Sequence, residues 1–415
     1  MIGGDIRAGL TVRALANRFD AVYVVGAAGP APATWSEDFA GATYVQLGQR
    51  TQDQVFKGYQ GHDPFHLGFT ADEIDRWRQH LRDARPDVIV AEGIWFGDLL
   101  DVAHQVHDAA IVVNMHNIES ELYRRFFRLQ LRQPLSLLNP RILKEQLLGL
   151  GSVRKNEDFH FRQARKILVC SDREAKLLEK RAAGKEIHVV PNTYHRDGPP
   201  PKQWVAAEAS NRSVVFVGAF TYGPNRGAAK QIIRKIAPML QKESPELRVH
   251  VAGRSTDDYF TRITADSPNV TVSENLPDTD TLYQDALCLI VPLRVGAGTR
   301  LKILEAMYRG VPVVSTRLGA EGLNLTHERN ALYAHSTREF VAAIQRLHRD
   351  RDFAAQIGAN GKAFYRERYA ADKVMDQIGT LVARAAAGSS AELPEALERG
   401  QVAMEPVGGH RVGSV

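Results

Sequence analysis

The chain has 415 residues, 44% hydrophobic and 24% charged, with a formal net charge of +5. That is a globular composition, long enough for two domains, and the mild excess of positive charge suits an anionic partner without naming one. No uninterrupted apolar run approaches the ~20 residues that a membrane-spanning helix needs, and a CxxC zinc or redox site is excluded, since Cys170 and Cys288 are the only cysteines.

The elements alternate between strand and helix. At the start, MIGGDIRAGL has no basic region followed by an apolar run, so no secretory leader is expected. Gly3-Gly4 leads into a helix over 5–18, and the first strand-like run, AVYVVGA at 21–27, comes only after it. A doubly wound domain normally opens on a strand. Either that strand is absent or the chain starts downstream of the true start, and the second is expected. A helix at 72–84 follows, then runs at 87–93, 109–115, 166–171 and 186–192. Short apolar runs separated by helices predict βαβ units and a parallel sheet. The two cysteines fall in such runs and read as buried free thiols, which points weakly to a reducing compartment.

A polar, proline-containing break, RDGPPPKQWVAAEASNR at 196–212, reads as a linker. The pattern then restarts: strands at 213–220, 247–253, 269–274, 287–293 and 311–316, with helices at 225–243, from 299, at 337–348 and at 352–385. The predicted organisation is an N-terminal α/β domain (1–195), a linker (196–212), a second α/β domain (213–360), a C-terminal helix (361–387) crossing back to the first domain, and a disordered tail (388–415). Two facing α/β domains direct the C-terminal ends of their strands at a shared cleft, where such sheets bind ligands.

One stretch concentrates the chemistry. In VPLRVGAGTRLKILEAMYRGVPVVST, residues 291–316, a strand ends in a Gly296-Ala297-Gly298-Thr299 turn that opens a helix carrying Lys302 and Glu305. Glycines let backbone N–H groups approach an anion. A helix N-terminus adds partial positive charge, and Lys302 adds a full one. Glu305 lies on the same helix face, where a carboxylate suits ribose hydroxyls. The same spacing also describes an ordinary exposed Lys–Glu pair, and spacing alone leaves both open.

The longer segment VPLRVGAGTRLKILEAMYRGVPVVSTRLGAEGL resembles the donor-binding signature of glycosyltransferase family 4, the retaining GT-B enzymes. HNIES (116–120), VCSDREAKLL (169–178), IHVVPNT (187–193), VFVGAFTYGPNRGA (215–228) and GGDIR (3–7) resemble family segments in the expected order, so the likeness covers roughly residues 3–385. It implies a GT-B fold, two tandem Rossmann-like domains facing a central cleft. It also implies sugar transfer, with retention, from a nucleotide-diphosphate sugar to a hydroxyl of a glycan, lipid-linked or small-molecule acceptor.

Residue by residue, the resemblance implies that Lys302 neutralises the donor diphosphate and Glu305 binds the ribose. Gly218, Gly298, Thr299 and Arg300 would line the donor site, Gly3 and Gly4 would face it across the cleft, and the turn 274–278 would contact the base. His116, at the end of a strand, would lie near the donor sugar or the attacking hydroxyl. It is not assigned as a base, because the leaving phosphate can accept the proton. The donor is a substrate, and neither cofactor nor metal is expected, as protein cations carry the charge in GT-B families. DTD at 278–280 has a metal-motif spacing but lies in a polar turn.

Two departures stand out. Family members often carry a glutamate eight residues before Glu305, where this chain has Ala297, and an arginine after the first glycine, where it has Ala219. Arg226, Arg254, Arg294 and Arg300 are the candidate replacements, Arg300 being nearest the turn. Residues 121–166 hold eleven Lys and Arg against four acids, interleaved with Phe and Leu. That reads either as a helix with a solvated basic face or as a peripheral contact with an anionic membrane, the second placing the protein at the cytoplasmic face of the membrane. Two rival functions are a nucleotide-sugar epimerase and a catalytically silent nucleotide-sugar-binding protein. Nucleic-acid binding is not expected, for want of a recognisable module.

Overall fold

The computed structural model describes residues 3–26, 42–48, 68–130, 140–195, 204, 212–255, 257–264, 267–276, 278–296 and 298–388. Most of the predicted linker, the turn residue at 277, Ala297 and the tail beyond Gly388 lie outside the described residues.

The C-terminal half is one six-stranded parallel sheet. Its strands are β7 (Ser213–Val217), β8 (Arg248–Gly253), β9 (Val270–Glu274), β10 (Ala286–Val291), β11 (Val313–Ser315) and β12 (Leu332–Tyr333), in the spatial order β12-β11-β10-β7-β8-β9. This is a doubly wound order. The sheet reverses direction between β7 and β10, and the crevice above that point is where ligands bind in open α/β sheets. Both faces of the sheet are covered, so β10 reads ALCLIV and is buried along its whole length.

The N-terminal half holds two parallel sheets: β1 (Val22–Gly26) with β2 (Ala42–Gln46), and β3 (Val88–Glu92), β4 (Ala110–Asn114), β5 (Lys166–Val169) and β6 (Glu186–Val189) in that order. Among the described residues no strand joins the two. The predicted helix at 5–18 is α1 (Gly3–Ala16), so Gly3 and Gly4 form its first turn instead of a loop before it. The remaining N-terminal helices are α2 (Ala71–Ala84), α3 (Gly97–Val106), α4 (Glu119–Gln130), α5 (Pro140–Gln163) and α6 (Asp172–Leu178). A capping box of Thr70 and Glu73 starts α2. Glu157 of α5 caps α4, accepting from the Ser120 amide at 2.9 Å.

In the second half, α7 (Gly223–Gln231) runs through a π turn at Ile232–Ile236 into α8 (Ala237–Glu243). The π turn stands just before Pro238, which has no N–H to continue the regular ladder. Short helices α9 (Tyr259–Ile263) and α10 (Asp280–Gln284) flank β9. Helix α11 (Leu301–Arg309) ends at Gly310, φ 83°, two residues before Pro312. Helices α12 (Thr337–Arg349), α13 (Arg351–Arg368) and α14 (Ala371–Ala387) complete the fold.

The predicted single helix over 352–385 is therefore two. It breaks at Tyr369-Ala370, where the Tyr369 hydroxyl donates to the Leu323 carbonyl at 3.0 Å and the Thr193 hydroxyl to the Tyr369 carbonyl. Past the break, α14 returns to the N-terminal half, packing Val374, Ile378, Leu381 and Val382 against Ala14, Val112, Leu168 and Val190. Cys170 and Cys288 are free and buried. No helix among the described residues is long and apolar enough to cross a membrane.

Candidate active site

The crevice above β7 and β10 collects the glycine turn. Gly218 follows β7, and a Cβ there would lie 2.7 Å from both the Lys302 ammonium and the Asn225 side chain, so only glycine leaves room for them. Lys302 Nζ donates to Asn225 Oδ1 at 2.9 Å and sits 4.4 Å from the centre of the Phe216 ring. Burial, with a smaller contribution from the Arg300 charge, lowers the Lys302 pKa to about 7. The first turn of α11 carries no acidic residue and Arg300 makes no side-chain cap there, so the positive end of the helix is left for an anion.

Glu305 turns elsewhere. It is buried, accepts from the Thr279 hydroxyl and from Arg309 Nη2 at 3.2 Å, and burial raises its pKa against the pull of those partners. Arg309 also holds Asp280 at 2.8 Å and the Tyr194 hydroxyl at 3.3 Å. Lys302 and Glu305 thus face different loops, one the end of β7 and the other the turn after β9. They are not an exposed surface pair. The DTD residues are engaged locally: Asp280 with Arg309, and Asp278 accepting from the Asp280 amide at 2.9 Å. Among the described residues no group of three or more His, Cys, Asp or Glu is placed to hold a metal ion.

The arginine candidates separate. Arg300 is buried and donates from Nη1 to the Gly298 carbonyl at 2.8 Å, so it braces the turn. Arg226 pairs with Asp257 at 3.0 Å and lies over the Tyr259 ring. Arg254 and Arg294 are exposed.

From the other half, His116 stands just past the end of β4. Its Nε2 lies 2.7 Å from Glu92 Oε2, at the end of neighbouring β3. Glu92 also accepts from Asn114 Nδ2 at 3.0 and 3.1 Å. Burial opposes its charge, but His116, Asn114 and Arg7 together hold the Glu92 pKa below the ordinary carboxylate value. Asn114 is fully buried, and its oxygen accepts from Arg7 Nη2 at 2.6 Å and Nε at 3.0 Å. Arg7 reaches on to the Val190 carbonyl and to Asn192, both at 3.0 Å. Gly3 and Gly4 lie one turn before Arg7 on α1.

The two halves meet at the turn. Gly298 has φ 76°, and a Cβ there would come 2.1 Å from Asn117 Oδ1, so conformation and space both demand glycine. The cleft is lined by Ile118, Glu121, Ser171 and Arg173 on one side and Gly298, Thr299, Glu321 and Gly322 on the other. Beside it, burial chiefly raises the Glu119 pKa to about 8, so that carboxyl is protonated at neutral pH.

The structure therefore brings Gly218, Gly298, Thr299, Arg300 and Lys302 together and sets Glu305 on a neighbouring loop. His116 stands in the opposite half, whose Asn117 meets the turn at Gly298. Asn225, Glu92, Asn114, Arg7 and Asn117 escaped the sequence reading. Two of them carried a signal: Glu92 is a carboxylate at the end of an apolar strand, and Asn225 lies in the first turn of α7, the first helix of the second domain.

Comparison with known proteins bears on the family and the fold. Residues 3–193 match the family described as "Glycosyl transferase 4-like domain", and residues 211–350 the family described as "Glycosyl transferases group 1". A Klebsiella pneumoniae protein described as "Uncharacterized 44.6 kDa protein in cps region" is 25% identical over 185 residues, 43% of this chain and 48% of that protein. The aligned part is thus about half the length of that relative. Sucrose-phosphate synthase from Thermosynechococcus elongatus superposes with a TM-score of 0.65 at 15% identity, over 91% of both chains. HepE of Anabaena, in complex with UDP and glucose, gives 0.56 at 14% identity, over 88% of this chain and 99% of that one. At these identities the likeness to solved structures is one of fold.

Proposed function

The chain belongs to the glycosyltransferase family 4, group 1 proteins and has their GT-B architecture, and from that premise we propose that it transfers a sugar, with retention, from a nucleotide-diphosphate sugar to a hydroxyl of a glycan, lipid-linked or small-molecule acceptor, as in polysaccharide assembly. One observation carries the reading: the Lys302 ammonium lies against Gly218 and Asn225 at the switch point of the sheet, beside the open N-terminus of α11.

The chemistry asks for charge and position. Breaking the sugar–diphosphate bond develops an oxocarbenium-like sugar and a negative leaving group. Lys302, the helix N-terminus and the glycine-turn amides at Gly298 and Thr299 stabilise that leaving charge. Glu305 binds the ribose at the turn after β9, exchanging the Thr279 hydroxyl for the sugar's hydroxyls. His116, steadied by Glu92, contacts the sugar or the incoming hydroxyl, whose proton passes to the leaving phosphate. The reading needs no cofactor or metal, so activity is expected to survive chelation by EDTA. HepE was crystallised with UDP, which makes UDP-sugars the first donors to screen.

The acceptor side is consistent with peripheral attachment at the cytoplasmic face of a membrane. On α5, Leu147 and Leu148 are 53% and 42% exposed, and Lys144, Arg154 and Lys155 are exposed beside them at helical spacing. A thermal-shift screen of nucleotide sugars, followed by transfer assays on Lys302→Ala, tests the core of the proposal. Near wild-type transfer by that variant would refute the phosphate assignment. Donor binding with neither transfer nor slow hydrolysis would point to a silent binding protein, and free epimerised donor to an epimerase.

A further inference from the structure

One arginine from the N-terminal half reaches into the glycine turn. Arg125, on α4, donates from Nη1 to the Gly296 carbonyl at 2.8 Å and to Glu321 Oε2 at 2.6 Å. Its Nη2 reaches Glu321 Oε1 at 3.1 Å, and its Nε reaches Glu121 Oε1 at 3.1 Å. Arg173, on α6, closes the square, lying 3.2 Å from both Glu121 and Glu321. Arg125 and Glu121 are only 15% and 10% exposed, so their pairing is largely withdrawn from water and weakly screened, while Glu321 and Arg173 reach solvent. Next along the helix, Phe126 meets Tyr222 of the second half edge-on at 6.3 Å. Helix α4 is thus the part of the first half that grips the turn of the second.

The grip has a directional consequence. In a planar trans peptide the N–H points opposite to the C=O. Arg125 holds the Gly296 carbonyl, and Arg300 holds that of Gly298 at 2.8 Å. Each guanidinium draws toward itself an oxygen that would repel a phosphate, and at Gly298 this turns the Thr299 amide of the same peptide unit the other way. Arg300 belongs to the second half and is always at hand. Arg125 is present only when the two halves are together.

We propose that Arg125 is a positioning residue that couples closure of the cleft to the phosphate-binding state of the glycine turn, with Glu321 and Glu121 pinning its guanidinium. The proposal rests on the donor-site reading above. It makes the donor site complete only in the closed molecule, so that diphosphate binding and closure favour each other. Lysine cannot replace this residue fully, because a single ammonium does not span one carbonyl and two carboxylates with fixed geometry.

Two measurements test it. The first needs no ligand: amide hydrogen exchange of the segment 293–301 in the free protein. Arg125→Ala is expected to speed exchange there by about tenfold or more, and Lys302→Ala to leave it near the wild-type rate. Unchanged exchange in Arg125→Ala would overturn the proposal whatever the protein's activity. The second is calorimetric titration with uridine, guanosine, adenosine, cytidine and thymidine diphosphates, with steady-state kinetics on the sugar of whichever binds. Arg125→Ala should raise the donor KM and lose about 100-fold in kcat/KM, a loss typical of misplaced groups. Arg125→Lys should fall between, and Glu321→Gln should weaken binding less than Arg125→Ala. A variant that unfolds would show in its melting curve, and Arg125→Lys and Glu321→Gln then carry the test. If wild-type protein binds diphosphate and Arg125→Ala binds it equally well, the coupling is wrong and the donor site stands. If wild-type binds none of the five, the donor-site reading itself falls, and this proposal with it.

Discussion

The two halves of the molecule build their parts of the cleft in different ways. In the second half the phosphate site comes from one continuous stretch: β10, a glycine turn and α11, seated on a fully buried sheet. In the first half, the surroundings of His116 come from four separate segments: α1 through Arg7, the end of β3 through Glu92, β4 through Asn114, and the residues before Tyr194 through Val190 and Asn192. A contiguous site is set by local geometry. A dispersed one is set by hydrogen bonds that exist only once the fold has formed, so it should be softer, and its substitutions should trade against one another.

The largest expected effect lies on the contiguous side. Lys302→Ala should reduce kcat/KM by about 100- to 1,000-fold, as loss of a charge-stabilising donor does elsewhere, with the melting temperature unchanged or raised, since a half-buried lysine is removed. Gly298→Ala comes next. Strain at φ 76° and the contact with Asn117 Oδ1 should together cost about 1–3 kcal/mol, read by chemical denaturation. Adding Asn117→Ala should recover only the part due to the contact. Full recovery would show that backbone conformation is irrelevant there.

On the dispersed side, Glu92→Gln should lower kcat by about tenfold, because His116 loses the carboxylate that holds it in place beside the sugar. The donor KM should change little. A KM effect without a kcat effect would detach His116 from the reacting atoms.

The titration of Lys302 distinguishes the halves most finely. Unfolded, it keeps its proton to near its ordinary value of 10.5, and folded only to about 7. Its contribution to the stability of the free protein therefore rises as pH climbs from 7 toward 10.5. Donor affinity runs the other way, because a diphosphate prefers the ammonium. Above pH 7 the dissociation constant should grow toward tenfold per pH unit, by calorimetry, and the trend should vanish in Lys302→Met.

What could be read from the sequence follows the same division. The buried strands of the second sheet are uniform apolar runs and declare themselves, as does the glycine turn, whose residues are neighbours in the chain. Strand β2, ATYVQ, alternates with polar residues and is only partly buried, and β12 has two residues, so neither carries a readable pattern. The break between α13 and α14 has no glycine or proline to announce it. It comes from Tyr369 reaching Leu323, a contact 46 residues away in sequence. Nor does local spacing link Asn114 to Arg7, 107 residues apart. The pairing of Lys302 with Asn225 and of Glu305 with Thr279 removes the exposed Lys–Glu pair that spacing had allowed.

The clasp at that break has a mechanical meaning. The polypeptide passes between the halves twice, once after Tyr194 and once at Tyr369-Ala370. The two crossings are fastened together: the Tyr365 hydroxyl donates to the Tyr194 carbonyl at 2.6 Å, and the Thr193 hydroxyl to the Tyr369 carbonyl. Two crossings fastened together in this way restrain the halves from sliding past each other but leave them free to swing when the cleft contacts of Arg125 are released. On that reading the clasp is the axle of the molecule and α4, which carries Arg125, is the arm that travels.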